Sequence, residues 1–463
     1  MLIAAVCAYV LAQLAIGWWA SRRTKGEADY FVAGRRLGLF AVSMSLFATW
    51  FGSETVMASS AAVASEGLSG ARAEPFGYFL ALLLMGVFVA ARMRAAGHMT
   101  LGDFFRARFG PQAESWCVLA NVITSVTWAA AQMAGLSVVV SALTDLPPQT
   151  TLAFAALCVV VYTSMGGLAG DVATDVLQGM VLLAGLVVLL AAVVARAGGP
   201  AEAAALIDPA KLALIAPGES WLARLDAWAV PVLGSLVASE AIARFLGARD
   251  ARVARSGAFV ASALYLVAGL IPVLIGLMGA GLGLKLGTGD LFLPGLAEQL
   301  LPPVLLAVFT GALLSAILST VDSNILSVSS LLTRNGFDRV RPNASERTKL
   351  AVARAATVLA GLAAWAIAAT GESIYQLIEW TSAFGTSGVL VSFLIGAYAG
   401  FGSGRAAVAS ILAGFACNAV TILLPALQGR DEADGAFLLS IVVSLGAYVA
   451  AAALDRSPRP RPA

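Results

Sequence analysis

Charged residues and histidine are scarce in this sequence. Asp, Glu, Lys and Arg make up 12% of the 463 residues, against about 25% in an average soluble domain. The single histidine, His98, lies in a basic stretch, so histidine-based catalysis or metal binding is not expected. The four cysteines fall inside apolar runs without metal-ligand spacing, which indicates small buried side chains. A net charge of +2 gives no reason to expect a nucleic-acid partner.

Hydrophobic residues, in contrast, make up 59% of the chain and form long runs. A membrane-spanning helix needs about 20 mostly apolar residues. By that measure residues 1–463 form a single transmembrane domain in an all-α polytopic membrane protein with thirteen spans. The spans are expected at 2–20, 38–64, 76–93, 115–143, 149–166, 171–196, 227–247, 256–283, 302–333, 347–370, 374–400, 405–425 and 434–454.

The distribution of Lys and Arg predicts the orientation, because cytoplasmic loops retain positive charge. With the N-terminus outside, 23 of the 29 Lys and Arg residues fall on the cytoplasmic side, Arg244 among them as a loop residue. An odd number of spans then places the C-terminus in the cytoplasm. We therefore expect an integral protein of the cell (inner) membrane, surrounded by lipid, of unknown oligomeric state.

Polar residues lie at membrane depth in three places, where they are costly and usually functional. The first place is SLFATWFGSETV, residues 45–56. Gly52 has a poor helix propensity, so the stretch predicts a break in the second span near the midplane. Unwound backbone at that depth leaves carbonyl oxygens to bind an ion or a solute. The alternative is a glycine that only allows close helix packing, with Glu54 bonded to a neighbouring helix.

The second place is GALLSAILSTVDSNILSVSS, residues 311–330. The spacing i, i+3, i+4, i+7 puts four small residues on one helical face, namely Ala316, Ser319, Thr320 and Ser323. Asp322 lies beside this face, and hydroxyl and carboxylate oxygens are the ligands that hard cations take. Hydroxyls in membrane helices also bond to their own backbone or pack against a neighbour, which is the alternative here.

The third place is Asp175, near the inner end of the sixth span. Asp171 lies one turn earlier and is a candidate helix N-cap. Asp175 is too deep for that role, so it needs a cation or a hydrogen-bond donor on another helix. Both a coupling role and a structural network remain open for it.

Two tryptophans also lie at midplane depth, Trp50 and Trp128, with Tyr78 in a neighbouring span. Tryptophan is usually found at the membrane interface. Three aromatic rings at this depth form a candidate box for an organic cation. Ordinary packing of large side chains is the alternative.

Four stretches of sequence resemble the sodium:solute symporter family. These are GRRLG at 34–38, YTSMGG at 162–167, ATDVLQ at 173–178 and LLSAILSTVDSNILSVSS at 313–330. FATWFG, PFGYFLALLLMG, WAAA and VDSNIL are most similar to the choline transporter-like branch. The resemblance implies a LeuT-type 5+5 inverted repeat, with helices 2–6 at about 38–196 and helices 7–11 at about 227–425. One extra helix would precede the repeats and two would follow, and the first helix of each half would be broken.

The resemblance also implies the ligands of a coupling sodium ion. Backbone carbonyls match Ala48 and Phe51 in the first broken helix. A further carbonyl and two hydroxyls match the set Ala316, Ser319 and Thr320. A possible second sodium would bind at Asp175, Asp322 and Ser323, where Asp322 departs from the hydroxyl found in members with that site. The number of sodium ions therefore stays open.

The implied solute site is an aromatic cage, with Trp50, Tyr78 and Trp128 at matching positions. A fourth cage tryptophan is replaced by Ala238. Glu54 and Glu240 are extra carboxylates near this site, and a desolvated carboxylate repels anions. An amine-bearing cation or zwitterion, choline-like or amino-acid-like, therefore suits the site better than a sugar or a simple anion.

The sequence thus predicts a sodium-coupled symporter that imports a small organic solute without a cofactor. A transporter of the same fold coupled to protons, or to no ion, is the main alternative, with Asp175 and Asp322 as proton carriers. A membrane solute sensor is a further alternative. An enzyme is not expected, because no nucleophile and base are paired in the sequence.

Overall fold

Helices account for almost all of the chain that the computed structural model describes, which is residues 2–22, 24–71, 74–144, 146–284, 286–287, 289–370, 386–428 and 433–455. The helices are α1 Leu2–Ser21, α2 Glu27–Val32, α3 Leu39–Trp50, α4 Ser59–Glu66, α5 Phe76–Phe88, α6 Ala90–Ala96, α7 Leu101–Phe109, α8 Pro111–Thr144, α9 Pro148–Ala197, α10 Pro200–Ala205, α11 Trp221–Leu233, α12 Ser239–Gly247, α13 Ala251–Gly279, α14 Phe292–Leu300, α15 Pro303–Ser330, α16 Asp338–Val340, α17 Glu346–Ala368, α18 Thr386–Leu394, α19 Gly404–Asn418, α20 Leu424–Leu427 and α21 Ala436–Leu454.

The lengths of these helices fit a polytopic membrane protein. Within the described ranges, seven helices are long and apolar enough to cross a membrane, or eight if the bent pair α5 and α6 is one span. The expected span at 374–400 begins outside the described residues, which omit 371–385. Helix α15 packs against α8, α9 and α1. Large apolar side chains such as Phe47 and Phe309 are fully buried between the helices.

The expected fifth and sixth spans are joined end to end in α9. The chain changes direction at Gly167, which has φ 56° and ψ −163°. A Cβ at this position would lie 2.7 Å from the backbone oxygen of Tyr30. Glycine therefore permits both the left-handed backbone and the close approach of α2. The second half of α9, after the kink, carries Asp171 and Asp175, and both are buried.

Two of the helices are interrupted by short non-helical segments. The break near Gly52 is confirmed, since α3 ends at Trp50 and Phe51 has φ −87° and ψ 65°. A π-helical turn, Glu54–Ala58, follows the break, and such turns are frequent at functional sites. The second interruption covers residues 234–238, between α11 and α12. The helix ends on either side of these two interruptions therefore leave backbone groups without helical partners inside the bundle.

A buried carboxyl group at one end of the bundle gives a pH prediction. Glu27, in α2, is 6% exposed and its Oε2 lies 3.5 Å from the Nζ of Lys349. Burial raises the pKa of Glu27 from 4.5 to about 7, and Asp338 adds to the rise, while Arg334 and Lys349 oppose it. The native state therefore holds this proton more tightly than the unfolded state. Stability from this group is greatest below pH 4.5 and falls as the pH rises to about 7.

At pH values above 7 we expect Glu27→Gln to raise the thermal midpoint. Between about pH 5 and 7 the midpoint of this variant should fall less steeply with pH than that of the wild type. Thermal unfolding of the purified protein at several pH values checks this. Glu346→Gln is the matched control, because the Glu346 carboxylate also faces Lys349 but is 59% exposed. A fall that Glu27→Gln leaves unchanged would contradict the prediction.

Candidate functional site

The first break is held in place by a side chain of α8. The Oε1 atom of Gln132 accepts hydrogen bonds from the backbone N–H and the hydroxyl of Ser53, both at 2.9 Å. Gln132 is fully buried, and a Cβ on Gly52 would lie 2.7 Å from its Oε1. The glycine is therefore needed because the amide approaches the backbone closely, and the amide replaces a helical hydrogen bond that the break removes.

The hydroxyl-bearing face of α15 lies against the end of α3. Thr320 donates its hydroxyl to the carbonyl oxygen of Thr49 at 2.7 Å, and the Ala316 carbonyl of its own helix lies 3.1 Å away. Ser319 is fully buried, and within the described part of the chain its Oγ has no hydrogen-bond partner. Thr49 lies between Ala48 and Phe51 in sequence. The expected sodium ligands at the end of α3 and on α15 therefore lie on facing elements. Among them, the Oγ atom of Ser319 is still available to bind an ion.

Three buried carboxylates lie together deeper in the bundle. Oxygen atoms of Asp171, Asp175 and Asp322 are all within 4.8 Å of one another. Ser323 lies among them, since its hydroxyl donates to Asp171 at 3.1 Å. The positions expected for a possible second sodium are thus brought together, with Asp171 as an added member. The role of Asp171 as an N-cap is wrong, because the residue is inside α9 and its carboxylate faces other helices.

Arg244 pairs with two of the three carboxylates in this cluster. Its NH2 nitrogen is 2.6 Å from Asp171 Oδ2 and 3.0 Å from Asp175 Oδ2. The residue is in α12 and fully buried, so its assignment to a cytoplasmic loop is wrong. Its charge does not belong in the orientation count. Positive-inside counting failed here because it assumes that Arg near a helix end faces water, whereas this guanidinium is paired inside the protein.

The single positive charge of Arg244 does not balance the negative charges of three ionised carboxylates. Asp322 accepts the backbone N–H of Ser323 on Oδ1 at 2.8 Å. Its Oδ2, and Oδ1 of Asp175, have no hydrogen-bond partner among the described residues. Buried ionised groups need partners of opposite charge. The cluster is therefore chemically suited to hold a monovalent cation or a proton in addition to Arg244.

The aromatic residues line a cavity between the two broken helices. The ring centroids of Trp50 and Tyr78 are 5.7 Å apart, and those of Tyr78 and Trp128 are 6.4 Å apart with the planes at 84°. Ala238 and Glu240 also line the cavity. The cavity volume is about 50 Å³, well below the roughly 300–1,000 Å³ that is typical of small-molecule sites. The walls must therefore move apart to admit an organic solute.

Two carboxylates contact the aromatic rings. Trp50 donates its indole N–H to Glu240 at 3.2 Å, and Tyr78 donates its hydroxyl to Glu54 at 3.2 Å. All of the expected solute-site residues except Glu54 line the cavity itself. A further acid, Glu74, was missed by sequence reasoning. It is 7% exposed and accepts a hydrogen bond from Tyr265 at 3.2 Å.

No local pattern marks Glu74 as buried, because it lies in a connection just before Pro75. Arg244 was open to detection, since it follows Glu240 by four residues in the otherwise apolar stretch SEAIARFLG. That spacing puts both side chains on one helical face. A cation at membrane depth is a functional candidate for the same reason as an acid.

Comparison with known proteins identifies the family. The model of the "Sodium:solute symporter family" matches residues 30–414. The high affinity choline transporter 1 of Homo sapiens is 32% identical over 404 residues, which cover 81% of this chain and 69% of that protein. For the corresponding transporter of Drosophila melanogaster the identity is 28%, and the match covers 81% of this chain but only 63% of that protein. The sodium/pantothenate symporter of Escherichia coli strain K12 is 24% identical, with 90% and 89% covered.

Solved structures show the same fold. A Na⁺-coupled sialic acid symporter in a substrate-bound, outward-open state superposes with a TM-score of 0.84 at 19% identity, covering 99% of this chain and 98% of that one. A nucleobase-cation-symport-1 family transporter has a TM-score of 0.60 at 15% identity, with 91% and 93% covered. These relatives are membrane transporters and not enzymes. The chain therefore belongs to the sodium:solute symporter family, whose activity is the sodium-coupled symport of a small solute.

Proposed function

We propose that this protein imports an amine-bearing cation or zwitterion together with sodium. The observation that carries the proposal is the cavity lined by Trp50, Tyr78 and Trp128 together with the carboxylate residue Glu240. Aromatic faces attract organic cations, and a half-buried carboxylate selects a positive group over an anion. The names of the choline transporters among the relatives support the same class of solute.

The coupling sodium is proposed to bind where the first break meets α15. Its ligands would be the carbonyl oxygens of Ala48, Phe51 and Ala316 with the hydroxyls of Ser319 and Thr320. The unpartnered hydroxyl of Ser319 supports this set, since oxygen donors suit a hard cation. A second sodium at Asp175, Asp322 and Ser323 stays a prediction. Any such ion would share the carboxylates with Arg244.

The proposed architecture has thirteen spans in one domain. In this proposal the expected spans 2–6, at about 38–196, form the first repeat of a LeuT-type 5+5 arrangement, and spans 7–11, at about 227–425, form the second. The protein lies in the cell membrane, with the N-terminus outside and the C-terminus in the cytoplasm. The two broken helices, at residues 51–53 and 234–238, support the repeat. Sodium would favour the outward-open state, because an ion that binds one state better shifts the population toward it.

A thermal-shift screen of the purified protein tests the solute class. Amines, amino acids, sugars and carboxylates are compared with and without sodium, because a ligand of the native state stabilises it by mass action. We expect amines or zwitterions to raise the thermal midpoint, and to do so more strongly with sodium. Stabilisation by sugars or by simple carboxylates alone would overturn the proposed solute class.

The buried carboxylates Asp171, Asp175 and Asp322 favour one alternative, proton coupling. Uptake into proteoliposomes with sodium replaced by potassium at fixed pH separates the two. Sodium coupling predicts that uptake falls to background, whereas proton-coupled or uncoupled transport predicts unchanged uptake.

Glu240→Gln should weaken amine binding while leaving the fold intact. The glutamine oxygen still accepts the indole N–H of Trp50, which is 3.2 Å from Glu240 in the wild type, but the negative charge is lost. We expect the half-saturating amine concentration to rise about ten-fold or more, since hydrogen bonds to charged groups contribute about 1.5–3 kcal/mol. Competition binding measures it, and an equal effect on a neutral analogue would make Glu240 structural.

A further inference from the structure

Arg244 contacts four structural elements at once. Besides the carboxylates of α9, its Nε donates to the hydroxyl of Ser45 in α3 at 2.9 Å. NH1 donates to the backbone carbonyl of Glu240, in its own helix, at 2.9 Å. NH2 also contacts the hydroxyl of Ser323 in α15. All of these groups are at or near zero exposure except Glu240, which lies at the cavity wall.

These contacts connect the two halves of the candidate site. On one side, Glu240 lies one turn before Arg244 in α12 and its carboxylate holds Trp50 of the cavity. On the other side, Asp175 accepts from the hydroxyl of Thr49 at 3.3 Å, and that hydroxyl is 3.2 Å from Ser323. The Thr49 carbonyl is the group that Thr320 binds. These hydrogen bonds, joined through the covalent frames of Thr49 and Glu240, connect the proposed sodium ligands to the solute cavity.

A second link holds the same helices together. The residues Leu37 and Gly247 share a backbone hydrogen bond of 3.1 Å, and Arg249 donates its backbone N–H to Leu37 at 3.0 Å. These bonds join the start of α3 to the end of α12. Movement of α12 relative to α3 is therefore constrained at its far end, so that a change at Arg244 acts mainly on the cavity end, where Ala238 and Glu240 lie.

The chemistry of the side chain explains why arginine is used. A guanidinium presents five N–H donors in a fixed planar fork, whereas an ammonium is a single point charge. Only the fork reaches Ser45, the α9 carboxylates and the Glu240 carbonyl from one position. A buried charge also costs several kcal/mol unless its partners stay in place. The guanidinium therefore penalises any arrangement of α3, α9, α12 and α15 that leaves it unpaired.

We infer that Arg244 is a positioning residue that couples sodium occupancy to the shape of the solute cavity. The inference rests on the proposed function. Sodium between α3 and α15 sets the spacing of Thr49 and Ser323. The Arg244 guanidinium moves with these groups because it is hydrogen-bonded within the same cluster. Since Arg244 is part of α12, its position sets where Glu240 and Ala238 lie at the cavity. Coupling of this kind is a free energy shared between two sites. Lysine at this position keeps the charge but loses the fork, so it uncouples the two sites without abolishing sodium binding.

The test uses sodium without any solute. Sodium is titrated into the purified protein, and potassium is added to keep the ionic strength constant. The thermal midpoint reports sodium binding. The alkylation rate of a cysteine introduced by Ala238→Cys, corrected for the native cysteines, reports the cavity end of α12. We expect sodium to change this rate about five-fold or more in the parent, within the usual range of coupling between sites. With Arg244→Lys added, sodium still shifts the midpoint but changes the rate less than about two-fold.

Arg108→Lys is the matched control. Arg108 is also buried, at 2% exposure, but it donates to the carbonyls of Phe401 and Gly402 in another part of the bundle. It should leave the sodium response of the rate intact. If Arg244→Lys does not fold, Ser45→Ala removes one fork contact and should reduce the response in the same direction. An undiminished response in Arg244→Lys, or in Ser45→Ala in its place, overturns the inference. A parent without any sodium shift of the midpoint overturns the proposed function instead.

Discussion

Ser319→Ala should raise the sodium concentration for half-maximal transport by about ten-fold to a hundred-fold, since an oxygen contact to a charged partner contributes about 1.5–3 kcal/mol. The serine hydroxyl is fully buried and has no hydrogen-bond partner within the described ranges. Its removal therefore breaks no bond inside the protein, and the thermal midpoint without sodium should change little. Initial uptake rates over a sodium series, at fixed solute and ionic strength, measure the effect.

Ser315→Ala is the matched control for this prediction. Ser315 lies one turn away on the same helix, and its hydroxyl is 2.7 Å from the Tyr9 hydroxyl and donates to the Gly311 carbonyl at 2.7 Å. Its loss should lower stability slightly and leave the sodium dependence unchanged. Thr320→Ala should weaken sodium binding as Ser319→Ala does, but with a stability cost, because the bond to Thr49 is also lost. Full activity of Ser319→Ala with normal sodium dependence would show that sodium does not bind there.

Gly52→Ala should lower the maximal transport rate about ten-fold or more at saturating sodium, because overpacking a buried position costs about 1–3 kcal/mol. The added Cβ would lie 2.7 Å from the Oε1 of Gln132, the atom that holds Ser53 on the other side of the break. Gln132 is fully buried, so the amide cannot move away without losing both of its bonds to Ser53. The geometry of the break, and with it the carbonyls of α3, would then change.

A double-mutant cycle tests this explanation. If Gly52→Ala acts by displacing the amide, the double variant with Gln132→Ala should transport no worse than Gln132→Ala alone. Effects that add fully would mean that the glycine acts through something other than Gln132. Gly446→Ala, in α21, is the control for a glycine substitution as such, since nothing lies within 4 Å of its added Cβ.

Features that depend on neighbours in sequence were predictable. The break near Gly52 follows from the poor helix propensity of glycine among small polar residues, and the structure confirms it. The hydroxyl face of α15 follows from helical periodicity alone. The aromatic residues Trp50 and Tyr78 were recognised by their depth in the spans, and their rings do contact each other.

Features that depend on how distant segments meet were not predictable. Arg244 was counted as a loop residue because its position near a helix end is ambiguous in a single sequence. Asp171 was interpreted as a cap, although it pairs with Arg244, which is 73 positions away. Glu74 was overlooked because only the packing of Tyr265 and Thr55 against it shows that it is buried.

The sequence by itself determined the class of protein and supplied most of the candidate residues for its chemistry. The amount of apolar sequence indicates a membrane, and ionisable side chains at its midplane are costly and therefore usually functional. Only the tertiary structure decided which of them act together. Whether a buried carboxylate such as Asp175 is balanced by an ion or by a side chain depends on the few ångströms between α9 and α12. That distance is set by packing across the whole bundle, and no local pattern encodes it.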